Sequence, residues 1–415
     1  MTESGRRLAW AAAVAMAVGV SLWQLDQRVG TDFHVFWQAG RDFLDGRPLY
    51  QPTPGARSFI YPPFAAMVFQ VLGLFPLPLS AVAFHALSVG LIGVVAIQSV
   101  RLAELALPGL GSWRWPLALA LAGSFHLLLN NLKLNQVNLA LLALCLGGLL
   151  AELRGRSAGA AALLVIPTLV KLTAGIFLLW LLVRGRRRTL AFAAALVPLL
   201  LVSPLLQRGP ARGLADYREY YATFLADFAQ GRVAREVTNQ GLAAAIDRAL
   251  VAPEAPGGRS YVLVPAGRAA ATRATQVASL AVLAAFVLVL LRLALAGSPV
   301  NVHELAAAFA AMHLVSPLTW KAHLVSMLFV FFVLLATPVS GMPPAQRWLV
   351  RGLGVLCVAS GFAGRDVLGR EAHRLLGGYS FYTWLLLALL GAMLWLALRA
   401  LPAPAGKHGF REAVA

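Results

Sequence analysis

Long apolar runs broken by short polar turns dominate this chain. A helix needs about 20 apolar residues to cross a hydrocarbon layer of about 30 Å. Runs that approach this length cover Leu8–Leu25, Phe59–Phe75, Leu79–Val100, Trp115–Leu129, Val137–Ala151 and Ala158–Val183. Further runs cover Leu190–Leu206, Val277–Leu295, Glu304–Val315, Trp320–Ala336, Trp348–Phe362 and Tyr382–Leu398. The pattern predicts an all-α integral membrane protein, a polytopic bundle of about ten to twelve transmembrane helices. Pro167 interrupts Ala158–Val183, which reads as one kinked helix or two half-helices. Two polar stretches fall outside the bilayer, residues 26–58 and 207–273, and residues 1–415 form a single domain.

Composition agrees. Of 415 residues, 59% are hydrophobic and only 13% charged, half the charge that an ordinary soluble surface carries. The net charge of +18 comes from basic residues scattered between apolar runs. It fits cytoplasmic helix flanks meeting anionic membrane lipids, and there is no basic stripe for nucleic acid. The N-terminal run starts after Arg6 and Arg7 and has no small-residue cleavage site, so it reads as a retained first helix with a cytoplasmic N-terminus. Twelve spans from that start place Arg184–Arg188 and the Lys407/Arg411 tail inside, but put Arg154 and Arg156 outside, against the positive-inside rule. Cys145 and Cys357 fall in apolar runs and read as buried thiols.

The polar residues between the runs carry the candidate chemistry. In the first loop Phe33, Phe36, Trp37, Gly40 and Leu44 share one helical face. That spacing predicts an amphipathic surface helix capped by Thr31 and stopped near Gly46. Asp32 then sits in its first turn, as dipole partner or as working carboxylate. Tyr61-Pro62-Pro63 opens the next apolar run, and Tyr61 is either an interfacial anchor or a site residue. Asn135, Gln136 and Asn138 belong to a dense amide patch suited to a solvated turn or to hydroxyl recognition. Lys171 lies about 18 Å along its run from Val183, too deep to snorkel, so it should face a cavity or an anion. Ser316-Pro317-Leu318-Thr319-Trp320-Lys321-Ala322-His323 breaks two apolar runs, and unwound backbone at that depth needs protein or a wet cavity around it.

Taken in order, the Asp32 loop with Gly46 and Tyr50, Tyr61-Pro62-Pro63, Asn135-Gln136-Val137-Asn138, Lys171, Asn239-Gln240-Gly241 and Ser316–Trp320 with His323 resemble glycosyltransferase family 87. Two positions depart from the family pattern: Leu172, often proline there, and Ala322 before His323, often a second histidine. The resemblance implies a GT-C-type bundle with short amphipathic extracytoplasmic helices. It also implies an inverting transfer of a hexose, mannose by resemblance, from a polyprenyl-phosphate donor to a lipid or glycan acceptor. By the same resemblance Asp32 is the catalytic base, while Lys171, His323 and Lys321 bind the donor phosphate. Tyr61, Asn135, Gln136, Trp320, Asn239 and Gln240 contact substrate. No cofactor or metal is expected, because a monophosphate leaving group can be neutralised by cationic donors. A bacterial inner membrane with an extracytoplasmic site is the expected location. A transporter or flippase is the alternative reading, although the chain shows no internal repeat of matched half-length. A non-catalytic scaffold for envelope assembly is a further alternative, and the deep Lys171 argues against it.

Overall fold

A computed structural model of the chain describes residues 19, 32–51, 58–107, 109–229, 234–253 and 260–399. The expected first span Leu8–Leu25 (apart from Gly19), the Thr31 cap and the Lys407/Arg411 tail lie outside the described residues. Within them every regular element is helical.

In chain order these are α1 (Asp32–Leu44), α2 (Pro63–Gly73), α3 (Leu77–Ala106), α4 (Arg114–Lys133), α5 (Asn138–Leu153) and α6 (Ser157–Val170). A 3-10 turn, Leu172–Gly175, leads to α7 (Ile176–Val183), α8 (Arg187–Arg208) and α9 (Pro210–Tyr220), then a π turn, α10 (Ala226–Ala229) and α11 (Leu242–Leu250). The remainder is α12 (Gly267–Leu295), α13 (Val302–Leu314), the 3-10 turn Lys321–Ser326, α14 (Met327–Ala336), α15 (Pro344–Ser360), α16 (Arg365–Gly378) and α17 (Phe381–Arg399). Among the described residues, α3, α8, α12 and α17 are each long and apolar enough to cross a membrane, and the bent pair α15–α16 qualifies as a broken span. Shorter apolar helices fill the space between them, which is how a polytopic bundle packs helices that never face lipid along their whole length. Phe329, Phe331 and Phe332 of α14 are all fully buried, so that helix is apolar all round and central.

Two departures from the expected topology share a cause. Phe59–Phe75 is read from its apolarity as a span, yet α2 has only 11 residues, about 16 Å of helix. It lies across one end of the bundle. Its last turn receives the Ser80 hydroxyl of α3 on Leu72 O, and Gln70 meets Gln207 at the end of α8. A Cβ on Gly40 would stand 2.2 Å from Phe69 O, so α1 and α2 cross at backbone contact. Apolar character here serves burial between helices rather than passage through lipid.

The second departure is the Ala158–Val183 run. Helix α6 ends at Val170, Lys171 is extended (φ −143, ψ 103), and α7 turns back. The Thr189 hydroxyl at the start of α8 donates to Glu152 at the end of α5, and Arg186 lies 3.7 Å from the same carboxylate. The Arg154/Arg156 turn and the Arg184–Arg188 turn therefore share one end of the bundle. The expected placement of Arg154 and Arg156 on the opposite side is corrected: α6 and α7 return to the end they start from instead of crossing, so no span separates the two turns.

The basic end is pinned by a buried ion pair. Arg184 Nε stands 3.2 Å from Glu304 Oε2, with side chains 4% and 0% exposed, and another guanidinium nitrogen donates to Ser298 O. Glu304 also completes a capping box with Asn301 at the start of α13.

Candidate active site

At the opposite end the chain collects its polar groups. Asp32 occupies the first turn of α1 and is 4% exposed. The buried face of α1 carries Phe33, Phe36, Ala39, Gly40 and Phe43, while Trp37 is half-buried and Leu44 exposed. The face is turned from the sequence expectation because α1 packs on α2 through Gly40 instead of floating on lipid. One Asp32 carboxylate oxygen accepts a short hydrogen bond from Gln136 Nε2. Gln136 sits in the turn between α4 and α5, where Asn135 takes a left-handed conformation (φ 48) that an asparagine tolerates.

Asn138 links the other elements. Its Nδ2 donates to Ala322 O at 3.0 Å, and its Oδ1 accepts from Lys171 Nζ at 3.1 Å. One amide thus ties the start of α5 to the broken α6–α7 helix and to the 3-10 turn carrying His323. His323 Nδ1 lies 3.2 Å from Trp320 N, its ring stacks on Trp320, and its other edge faces a cavity. Lys171 stands within electrostatic reach of Asp32, as does Tyr61.

That cavity, about 360 Å³, has a polar end and an apolar length. Lys171, His323, Tyr61 and Ser316 form the polar end. Leu172, Ile176 and Leu179 of the broken helix, Phe224 and Phe228 beyond α9, and Leu283 of α12 form the rest. Behind Lys171 and His323 a small chamber of about 40 Å³ is lined by Asn138, Thr173, His313 and Ser326. His313 Nε2 and Ser326 Oγ are 2.7 Å apart there. Among the described residues no group of three or more His, Cys, Asp and Glu side chains is placed to hold a metal ion.

The structure thus brings together Asp32, Gln136, Tyr61, Lys171 and His323 among the residues singled out from sequence, with Trp320 stacked behind His323. The others are placed elsewhere. Asn135 donates its amide to Ala81 O of α3 at 2.9 Å, away from the cavity. Asn239 braces the unwound segment before His323: its Oδ1 accepts from Thr319 N and its Nδ2 donates to Pro317 O. Gln240 receives Tyr382 N on its Oε1 and donates to Gly377 O, lacing α16 and α17 to the same segment. Lys321 points away from the cavity, its Nζ 2.9 Å from His373 Nε2. Sequence reasoning did not single out His313 as a site residue, although an ionisable group in the apolar run Glu304–Val315 is itself a signal. It also left the bridging Asn138 out of the site.

A broken membrane helix carries a lysine, an unwound segment presents a histidine, and a buried carboxylate faces them at the bundle's end. This arrangement can hold an anionic group at the wall of a largely apolar cavity. The chain belongs to glycosyltransferase family 87, whose sequence model matches residues 59–317. It is a membrane glycosyltransferase. Asp32 lies ahead of the matched segment, while Lys171 and Tyr61 lie within it. The chain is 27% identical over 355 residues to a polyprenol-phosphate-mannose-dependent alpha-(1-2)-phosphatidylinositol mannoside mannosyltransferase of Mycobacterium tuberculosis, an overlap covering 78% of this chain and 75% of that protein. It is 31% identical over 245 residues to the enzyme of the same name from Mycolicibacterium smegmatis, covering 54% of each. No solved structure matches the chain significantly.

Proposed function

We propose that the protein transfers mannose, with inversion, from a polyprenyl-phosphate donor to a hydroxyl of a lipid-linked or glycan acceptor. The observation that carries this reading is the cavity whose apolar length ends on Lys171 and His323 beside Asp32. A prenyl chain fits the apolar length and the phosphate meets the cationic end. The sugar then projects toward Asp32, Tyr61 and Gln136. The Asp32 carboxylate takes the acceptor's hydroxyl proton as its oxygen attacks the anomeric carbon. The bond from that carbon to the phosphate oxygen breaks, and the phosphate leaves as an anion stabilised by the Lys171 ammonium and the His323 ring. Gln136 holds the carboxylate in place, and Asn138 fixes Lys171. Metal ions have no assigned role in this scheme.

The basic turns at Arg154–Arg156 and Arg184–Arg188 sit at the end away from Asp32. By the positive-inside rule that end is cytoplasmic and the site faces outward, across a bacterial inner membrane. A single transmembrane domain then spans the chain, with the Asp32 loop and residues 207–273 outside the bilayer. The mannosyl donor and the phosphatidylinositol mannoside acceptor named for the mycobacterial relatives make polyprenyl-phosphate-mannose the first donor to offer.

The experiment offers radiolabelled polyprenyl-phosphate-mannose and host lipid to the purified protein and to Asp32→Asn. Wild type should label a lipid product, and the variant should be slower by about 100- to 10,000-fold, the span of general base catalysis. Equal transfer by both would remove Asp32 as base. Movement of intact donor across a bilayer without transfer would favour the flippase reading.

A further inference from the structure

Lys321 and His323 stand two residues apart on one 3-10 turn and face opposite ways. His323 lines the donor cavity, whereas Lys321 Nζ lies 2.9 Å from His373 Nε2 and 5.8 Å from the centroid of the Tyr382 ring. His373 Nδ1 is 2.9 Å from the Ala363 carbonyl. A carbonyl only accepts, so Nδ1 carries the proton and Nε2 receives one from the Lys321 ammonium. The other two ammonium protons have no acceptor among the described residues. The His126 ring packs edge-on against His373 with centroids 5.9 Å apart, and its Nε2 is buried with no hydrogen-bond partner among the described residues.

The charge around these groups is unbalanced. Lys133 and Arg365 add positive potential at the two imidazoles, and Asp366 is the acidic group within reach. Among the described residues no carboxylate comes within ion-pairing distance of Lys321. Buried or half-buried charge of one sign is retained where a counter-charge pairs with it. The cluster fills the break between α15 and α16, where the chain bends by 109°. Exposed Phe125 and Phe362 flank it, and α16 runs on with exposed Arg370 and Arg374. Cationic donors beside exposed aromatic rings at the end of a bundle match the level of lipid headgroups.

We propose that Lys321, His373 and His126 form a phosphodiester-binding site for the headgroup of an anionic lipid, on the far side of the Trp320–His323 segment from the donor cavity. The Lys321 ammonium donates to the phosphate oxygens, His373 orients the lysine, and His126 packs edge-on behind His373. The site lies at the same end of the bundle as Asp32. A lipid anchored there is therefore placed for a hydroxyl of its headgroup to approach the carboxylate. That last step rests on the transfer reading above, but the binding itself does not.

Binding can be measured with no sugar donor present, so failure of the site is separable from failure of the transfer reading. Full-length protein in uncharged detergent would be stripped of lipid and titrated with phosphatidylinositol, phosphatidylcholine and inorganic phosphate, reading bound lipid by native mass spectrometry. Phosphatidylinositol should bind saturably and phosphatidylcholine should not displace it. Lys321→Gln/His373→Gln should weaken it at least about tenfold, the loss of one charge-assisted hydrogen bond. Lys321→Arg, which keeps the charge, should retain most binding, and so should Arg154→Gln at the other end of the bundle. If the double variant fails to fold, the Lys321→Gln and Lys321→Arg pair makes the same comparison. Unchanged phosphatidylinositol affinity in the charge-removing variants, or equal competition by phosphatidylcholine, would overturn the site. Full displacement of lipid by inorganic phosphate at millimolar concentration would assign the cluster to a free anion and overturn the headgroup assignment.

Discussion

Lys171→Met separates the cost of holding a cation at the site from its use. Lys171 lines both the donor cavity and the chamber behind it, and its one hydrogen bond among the described residues goes to Asn138 Oδ1 at 3.1 Å. Methionine matches the stem in length and removes the charge. In the empty enzyme two effects oppose each other. Relief from desolvating an ammonium favours the variant, while an orphaned Asn138 Oδ1 costs about 1–3 kcal/mol unless water in the adjoining chamber pairs with it. Asn138 keeps its bond to Ala322 O, so the 3-10 turn stays anchored. Net stability should change by less than about 1 kcal/mol, a melting shift of a few degrees at most. With the donor bound, the variant loses a charged hydrogen bond to phosphate worth about 1.5–3 kcal/mol. The specificity constant for the donor should then fall about 10- to 150-fold, while KM for the acceptor stays put. The assay is steady-state transfer at varied donor and saturating acceptor, beside thermal unfolding of the same preparation. An unchanged donor constant would refute the placement of the phosphate at Lys171. So would a loss of activity that follows a matching loss of stability, since the lysine would then serve only as structure.

Other substitutions test the frame around the site. Arg184→Met leaves Glu304 buried beside an apolar group and should destabilise the protein by about 3–5 kcal/mol, whereas Arg184→Met with Glu304→Leu should recover most of that in a thermal unfolding assay. Gly40→Val places a Cβ against Phe69 O and should cost at least about 2 kcal/mol, with transfer falling further than stability because α1 carries Asp32. Chelation with EDTA should leave transfer unchanged, since the Lys171 ammonium and the His323 ring already supply donors to the leaving phosphate. A drop restored by magnesium would assign that role to a metal.

Much of the site was legible because polar residues in an apolar chain are conspicuous. Lys171 was singled out by depth alone, and the structure puts it on a cavity wall. The first turn of an amphipathic helix left Asp32 as dipole partner or working carboxylate, and that helix is there; the role of Asp32 as base came from the family resemblance. Other features depend on geometry that spacing does not carry. Pro167 marks the broken helix, yet the break falls four residues later, because proline removes only its own bond to the preceding turn and the next residues can finish the helix before Lys171 leaves it. Lys321 and His323 were grouped as one cationic pair. In a 3-10 turn each residue rotates about 120°, so positions two apart diverge, and the pair splits between two faces. Asn239 and Gln240 carry the chemistry of sugar ligands, but their amides are consumed by backbone groups of Pro317, Thr319, Gly377 and Tyr382.

Sidedness turns on two misread elements, the Phe59–Phe75 run and the Ala158–Val183 run. Hydropathy registers that Phe59–Phe75 is apolar, not whether it crosses or lies across, and the two differ by one in the parity of every later span. Read as a span, Phe59–Phe75 shifts the side of both arginine-rich turns together. The Ala158–Val183 run decides whether they part: read as a span it separates them, whereas α6 and α7 return to one end and keep both turns together. The glycine contact that lets α1 lie flat on α2 holds the Asp32 carboxylate beside Gln136. The return of α6 and α7 brings both arginine-rich turns to the opposite end of the bundle, and under the proposed function the positive-inside rule then turns the carboxylate outward.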